Sequence, residues 1–216
     1  MKTNLRNLFC GAEWKRRIVT GFSLAAASSA AFPCLAQSRV AEYVLNAVPA
    51  ERLTIDLETG GALRVRGSEE NAVRVRVQLS ARGRENISVT LESVPGGARL
   101  HSSASGDPTE FLASHVFEVF VPRHYDISLN SAGGRLTITD VSGEFRGDIA
   151  GGMIVLERVR GWVEISTTGG AIHVTDSALD GSIKTGGGGV KLRRVTGGVR
   201  AWAEPRPLQP DPQPHR

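Results

Sequence analysis

GGRLTITDVSGEFRGDIA, residues 133–150, is followed without insertion by GGMIVLERVRGWVEISTT, residues 151–168. GGAIHVTDSALDGSIKTG, residues 169–186, and GGGVKLRRVTGGVRAWAE, residues 187–204, continue the series. The four lines share one pattern at a constant spacing of 18. Leu136, Ile154, Ile172 and Val190 coincide, and so do Ile138, Leu156, Val174 and Leu192. The doublets Gly133 and Gly134, Gly151 and Gly152, and Gly169 and Gly170 coincide as well, with a fourth at Gly187 and Gly188. A fixed period of this length marks units that cannot bury an apolar face alone and bury it against the next unit. Within each unit the apolar residues alternate, which is the spacing of a strand and not of a helix. The glycine doublets supply the positive backbone dihedrals of a tight corner, and Gly143, Gly161 and Gly197 mark a corner at the other side. The expected fold is therefore all-β: a single-domain β-solenoid of stacked coils of about 18 residues, each with two short strands and two bends.

The second strand of each coil is expected to turn Phe145, Val163 with Ile165, Ile183 and Val199 inward, with Val141, Val159 and Val195 filling the bend. The third coil departs from this pattern. Ser177 stands where valine is expected, and 177–180 reads as a two-residue bulge offset by a shorter stretch before Gly186. Stacking brings equivalent residues to ~4.8 Å, so outward positions can be followed from coil to coil. Asp140, Arg158, Asp176 and Arg194 alternate in sign at intervals of 18 and form an expected structural charge ladder, and Arg146 with Glu164 begins a second column. Opposite charges on paired strands set register, whereas like charges would oppose it.

The first half is also extended. Leu53, Ile55 and Leu57; Leu63 and Val65; Val73, Val75 and Val77; Ile87, Val89 and Leu91; and 116–121 each read as a strand, and Gly60 to Gly67 copies the later corner-then-strand pattern. An early coil followed by a less regular sheet is expected there. Pro95 and Gly96 form a turn between two strands. The polar stretch from Ser102 to Glu110 reads as an exposed loop, and a short turn is expected near 40–46.

The ends carry different information. Lys2, Arg6, Lys15, Arg16 and Arg17 precede an apolar run of about 15 residues and then Cys34-Leu35-Ala36, the make-up of a secretory leader covering 1–36. That run is short of the ~20 residues a membrane span needs, so no transmembrane span is expected once the leader is removed. With five of the 26 basic residues and one of the 22 acids gone, 21 of each remain. A formally neutral chain lacks the excess of clustered cations that nucleic acid demands, and no nucleic-acid partner is expected. Cys10 and Cys34 leave with the leader, removing thiol chemistry. Residues 37–47 read as a linker, 48–203 as the solenoid domain and 204–216 as a proline-rich tail that cannot extend a ladder.

The unit Gly-Gly-x-Leu-x-Ile-x-x-Val-x-Gly at Gly133 to Gly143, its echo at Gly151 to Gly161 and the partial echoes from Gly169 and Gly187 resemble the bacterial putative-adhesin family, long classed as a domain of unknown function. The order of an early strand pair, a variable middle, a strand closing on Val121-Pro122 and then repeats is similar to that family over roughly 48–202. The resemblance implies a β-strand-repeat fold and carries no catalytic signature.

The residues themselves point the same way. Asp140 and Asp176 are two coils apart with Arg158 between them, an arrangement that neutralises charge and does not converge on a substrate. His173 and Asp176 point to opposite faces of a strand. The other histidines are scattered, and the glycines at 186–189 lack the Lys and helix of a phosphate loop. No enzymatic activity, cofactor or metal site is expected. Trp162, outward by alternation, with Met153, Val155 and His173 forms the candidate contact surface for an unidentified glycan or envelope protein. The expected role is an exported, non-enzymatic binding or structural surface of the cell envelope, adhesin-like, in the periplasm, on the cell surface or secreted. A periplasmic envelope-stress or signalling accessory, and a carbohydrate-active enzyme on a β-helix, are the competing readings.

Overall fold

Alternating burial runs through almost every extended segment, and each such segment is a strand in the computed structural model, which describes residues 39–79, 87–105 and 115–203. The expected leader, the far part of the 102–110 loop and the tail lie outside those residues. The strands are β1 (Arg39–Asn46), β2 (Arg52–Leu57), β3 (Ala62–Ser68), β4 (Ala72–Leu79), β5 (Ile87–Val94), β6 (Gly97–Ala104), β7 (His115–Pro122) and β8 (Asp126–Ser131). They continue as β9 (Leu136–Thr139), β10 (Ser142–Ile149), β11 (Ile154–Glu157), β12 (Arg160–Thr167), β13 (Ile172–Thr185), β14 (Val190–Thr196) and β15 (Val199–Ala203). No helix occurs among the described residues.

All fifteen strands belong to one nearly closed, barrel-like sheet. Its path runs β1-β4-β7-β3-β9-β11-β13-β12-β10-β8-β2-β6-β5, with β14 and β15 both added to β13. The path doubles back at β13, whose first half pairs with β11 and β14 and whose second half pairs with β12 and β15. From β9 onward the pairing is parallel at a constant offset of 18: Leu136 opposite Ile154, Ile154 opposite Ile172 and Ile172 opposite Val190 on one arm, Phe145 opposite Val163 on the other. The spacing seen in the sequence is thus the register of the hydrogen bonds.

Both arms send their apolar side chains into one core. Leu136, Ile138, Ile154, Leu156, Ile172 and Val174 from one arm meet Phe145, Val163, Ile165 and Ile183 from the other, joined by Leu53, Ile55, Val65, Val75 and Phe117 of the first half. Complete burial of such a side chain stabilises the fold by about 1.5–3 kcal/mol. The expected early strand pair is present: β2 pairs with β8 and β3 with β9, both parallel, so that Leu53 faces Ile127 and Leu63 faces Leu136 across a long span of chain. Around it lie the antiparallel additions β1–β4–β7 and β5–β6. Val94 faces Gly97 across the turn at Pro95-Gly96.

Three expectations change. Residues 39–46 form β1, paired along its whole length with β4, and not a linker or a turn. Residues 102–104 belong to β6 instead of a loop. The third repeat holds no bulge: Arg160 faces Ala178, Trp162 faces Asp180 and Ile165 faces Ile183, all at 18. The glycine has moved two positions along the strand. Leu179, fully buried, occupies the position of Gly161, and Gly181 occupies that of Val163, so apolar volume is redistributed without disturbing the ladder. Ser177 is buried in place of valine; its Oγ accepts the Val159 N–H at 3.1 Å and donates to the Thr175 carbonyl at 2.8 Å.

The corners explain the glycine doublets. Gly134 N–H donates to the Gly151 carbonyl at 3.0 Å and Gly152 N–H to the Gly169 carbonyl at 2.7 Å, so the ladder continues around the bend. Gly152 has φ +114°, and a Cβ there would lie 1.9 Å from the Gly134 carbonyl oxygen. Its neighbour Gly151 has no atom within 4 Å of the corresponding point. Buried hydroxyls hold the same corners: Thr167 Oγ1 donates to the Gly169 carbonyl at 2.9 Å and Thr185 Oγ1 to the Gly170 carbonyl at 2.8 Å. Gly152→Ala is expected to cost about 3 kcal/mol or more in urea unfolding, whereas Gly151→Ala stays within about 0.5 kcal/mol.

Candidate functional site

Outward side chains on successive strands line up in rows across the sheet, because parallel pairing keeps the same alternation from strand to strand. On the arm formed by β5, β6, β2, β8 and β10 these rows enclose an open groove of about 850 Å³. Its floor is made of short polar side chains: Thr54 and Asp56 from β2, Ser128 and Asn130 from β8. Longer side chains bound it, with Glu92, Arg99 and His101 on the β5–β6 side and Arg146 on β10, where Asp148 also lines the groove. From β6 to β10 is three strand spacings, or about 14 Å.

Asp56 links the floor to its margin. Asn130 Nδ2 donates to Asp56 Oδ1 at 3.4 Å, and His101 Nδ1 lies 3.5 Å from Asp56 Oδ2. Ser166 on β12 donates to Asp148, extending the row beyond the groove. Asp56, Glu58 and His101 bring ligand atoms within 4.8 Å of one another and are the described residues whose donor types suit a metal ion. In the next row toward the N-terminal ends of the strands, Arg52 reaches both Asp126, at 3.5 Å, and Glu144, at 2.9 Å.

Trp162 stands in that second row, between Glu144 and Asp180, and is 49% exposed. Its ring lies over Gly181: a Cβ on that glycine would sit 3.2 Å from the indole Cε2. The candidate contact residues fall on two arms, Trp162 on β12 and the register neighbours Val155 and His173 on β11 and β13. Val155 has Thr137 and His173 as its register neighbours on the opposite arm, and Met153 precedes the same strand. Alternation told which way Trp162 points but not that the corner at Arg158 carries the chain onto the other arm before reaching it.

The four ladder residues occupy that corner, and all take positive φ: Asp140 60°, Arg158 53°, Asp176 53° and Arg194 50°. Aspartate tolerates this left-handed region, and arginine does so at a steric cost. The charges form two separate pairs. Arg158 binds Asp140 through Nε at 2.7 Å and Nη2 at 3.0 Å, and Arg194 binds Asp176 in the same fork, with Nη2 at 2.7 Å. Arg146 lies 3.8 Å from Glu164 in the second column. The corner glycines Gly133, Gly134, Gly151, Gly152, Gly169 and Gly170 stand at the other bend, where Gly133 follows Asn130 and Gly151 follows Asp148 of the groove by three residues.

Hydrogen bonds from Arg158 hold the Asp140 carboxyl below its ordinary range, and those from Arg194 do the same for Asp176. A depressed folded-state pKa gives stability that is present above the unfolded value near 3.9 and is lost as pH falls through the folded value. Acidification from pH 5 to pH 2 is therefore expected to lower the melting temperature of the wild type more than that of the doubly substituted Asp140→Asn, Asp176→Asn chain, measured by circular dichroism.

No family model matches this chain, and no curated protein does. Among solved structures the chain is similar to a putative cell adhesion protein from Clostridium sporogenes ATCC 15579, at 10% identity over 78% of this chain and 99% of that one, with a TM-score of 0.33. It is similar also to a putative adhesin from Parabacteroides distasonis ATCC 8503, at 13% identity over 78% and 83% of the two chains, with a TM-score of 0.39.

Proposed function

We propose that this chain is an exported, non-enzymatic β-solenoid that presents an adhesin-like binding surface in the bacterial cell envelope, with a glycan as the ligand of its groove. The observation that carries the proposal is the groove floor, where Thr54, Asp56, Ser128 and Asn130 offer hydroxyl, carboxylate and amide groups side by side on paired strands. Such a set donates and accepts over a flat, rigid surface, as a hydroxyl-rich ligand requires. Arg99 and Arg146 add planar donors at the two margins, and the indole of Trp162, one strand beyond Arg146, is an apolar platform on which a sugar ring can stack. The constant parallel offset of 18 supports the solenoid description, since each strand then lies over its equivalent one coil earlier. The basic head and short apolar run at 1–36 support export.

The test is a glycan array probed with the full chain and with Ser128→Trp, which fills the groove floor from a half-buried outward position. Wild type is expected to retain a subset of glycans and Ser128→Trp to lose at least tenfold in retention, with Trp162→Ala losing severalfold and both variants keeping the β-sheet circular dichroism. Wild type that retains no glycan, or Ser128→Trp that retains as much as wild type, overturns the proposal.

A further inference from the structure

The last two strands differ from those they extend. β14 and β15 each pair only with β13 among the described strands, so one backbone edge of each faces away from the sheet. Columns sealed inside the body open here. Leu156 and Val174 are fully buried, yet Leu192, next in the same register, is 40% exposed. Val190, Val195 and Val199 are only half-buried, and Trp202 is exposed. An edge with free N–H and C=O groups above uncovered apolar side chains is a template for one more strand.

Charge says which kind of strand. From 181 to 203 stand Lys184, Lys191, Arg193, Arg194 and Arg200, with no Asp or Glu, in a chain that is formally neutral from residue 37 on. Arg194 is held by Asp176, and Lys184 Nζ lies 5.8 Å from the centre of the Trp202 ring. Lys191, Arg193 and Arg200 enter no ion pair among the described residues. Lys191 and Arg193 flank Leu192 and point outward where Leu192 points inward, matching His173 and Thr175 on β13. A strand laid on β14 would set its own outward side chains within about 5.5 Å of these cations and its inward ones over Leu192. A second copy of this edge would bring Lys191 and Arg193 against like charge. The tail has prolines at 205, 207, 210, 212 and 214, which lack the N–H a ladder uses. An anionic polysaccharide or lipid would meet the cations but leave the backbone edge unpaired.

We infer that the free edge of β14 is a docking site for an extended acidic segment of a partner protein, one that alternates apolar and acidic residues along the stretch 190–193 ahead of the corner at Arg194 and joins the sheet by backbone pairing. The site is separate from the groove and does not depend on it.

The experiment is fluorescence anisotropy of the full chain with a labelled nonapeptide alternating Glu and Val. Controls are the same peptide with Lys for Glu and the same peptide N-methylated at alternate amides. The acidic peptide is expected to bind at least tenfold more tightly than either control. Lys191→Glu with Arg193→Glu is expected to lose at least tenfold, while Ser128→Trp binds as wild type does. Arg193→Gln gives the same direction at smaller size should the double variant lose β-sheet signal. Equal affinity for the N-methylated peptide would show adsorption by charge alone and overturn the inference. Binding that appears only after truncation at Ala203 would show the tail to be the occupant, and a dimer in sedimentation that Leu192→Glu dissociates would show a second copy; either also overturns it.

Discussion

The repeat half of this molecule, from β8 to β15, depends on parallel backbone pairing at one fixed offset. Because Leu136, Ile154, Ile172 and Val190 must face one another, each repeat has to use the same number of residues. The tight corner with its glycine doublet and the left-handed corner at Asp140 and its equivalents are the two devices that keep that number constant. Neither corner tolerates slippage, since a slip of one position would turn the core face of a strand outward. The third repeat makes the point. Its apolar and glycine positions are exchanged between 179 and 181, and the register does not move.

Strand pairing also creates the surfaces. With alternation shared by paired neighbours, parallel or antiparallel, outward residues far apart in the chain fall into rows, and the groove collects Thr54, Thr90, His101, Asn130 and Asp148 from five strands. Short side chains in the middle strands and long ones at the margins give it its depth. The constraint also leaves a cut end, because the last strands have nothing beneath them in the described residues. Its excess of cations distinguishes it from the rest of a balanced chain.

Much of this was legible in the sequence, and what was not has identifiable causes. The strands of 52–57, 62–68, 72–79, 87–94 and 115–122 follow from alternating apolar residues, and the β5–β6 turn follows from Pro95-Gly96. β1 was hidden because its partner β4 comes only after β2 and β3 have intervened, and because its outward Val40 and Val44 blur the polar–apolar alternation. The left-handed corner was hidden because Arg158 and Arg194 are not residue types that announce positive φ. The groove was hidden for a deeper reason: β6 joins β2 in parallel and β8 joins β2 from the other side, and no local pattern encodes which strands become neighbours. Trp162 was identified as outward, but its neighbours required knowing where each corner turns.

The two halves of the sheet close on very different lengths of chain. Strands after β8 meet their partners one repeat away, as Leu136 meets Ile154, whereas Leu53 of β2 waits for Ile127 and Leu63 of β3 for Leu136, with most of the first half of the sheet in between. Ring closure over the longer span costs about 1 kcal/mol more in loop entropy, and that much further chain must be available first. During synthesis the earliest strands are therefore made before the surface they rest on, and stay open to mispairing until the later rungs emerge.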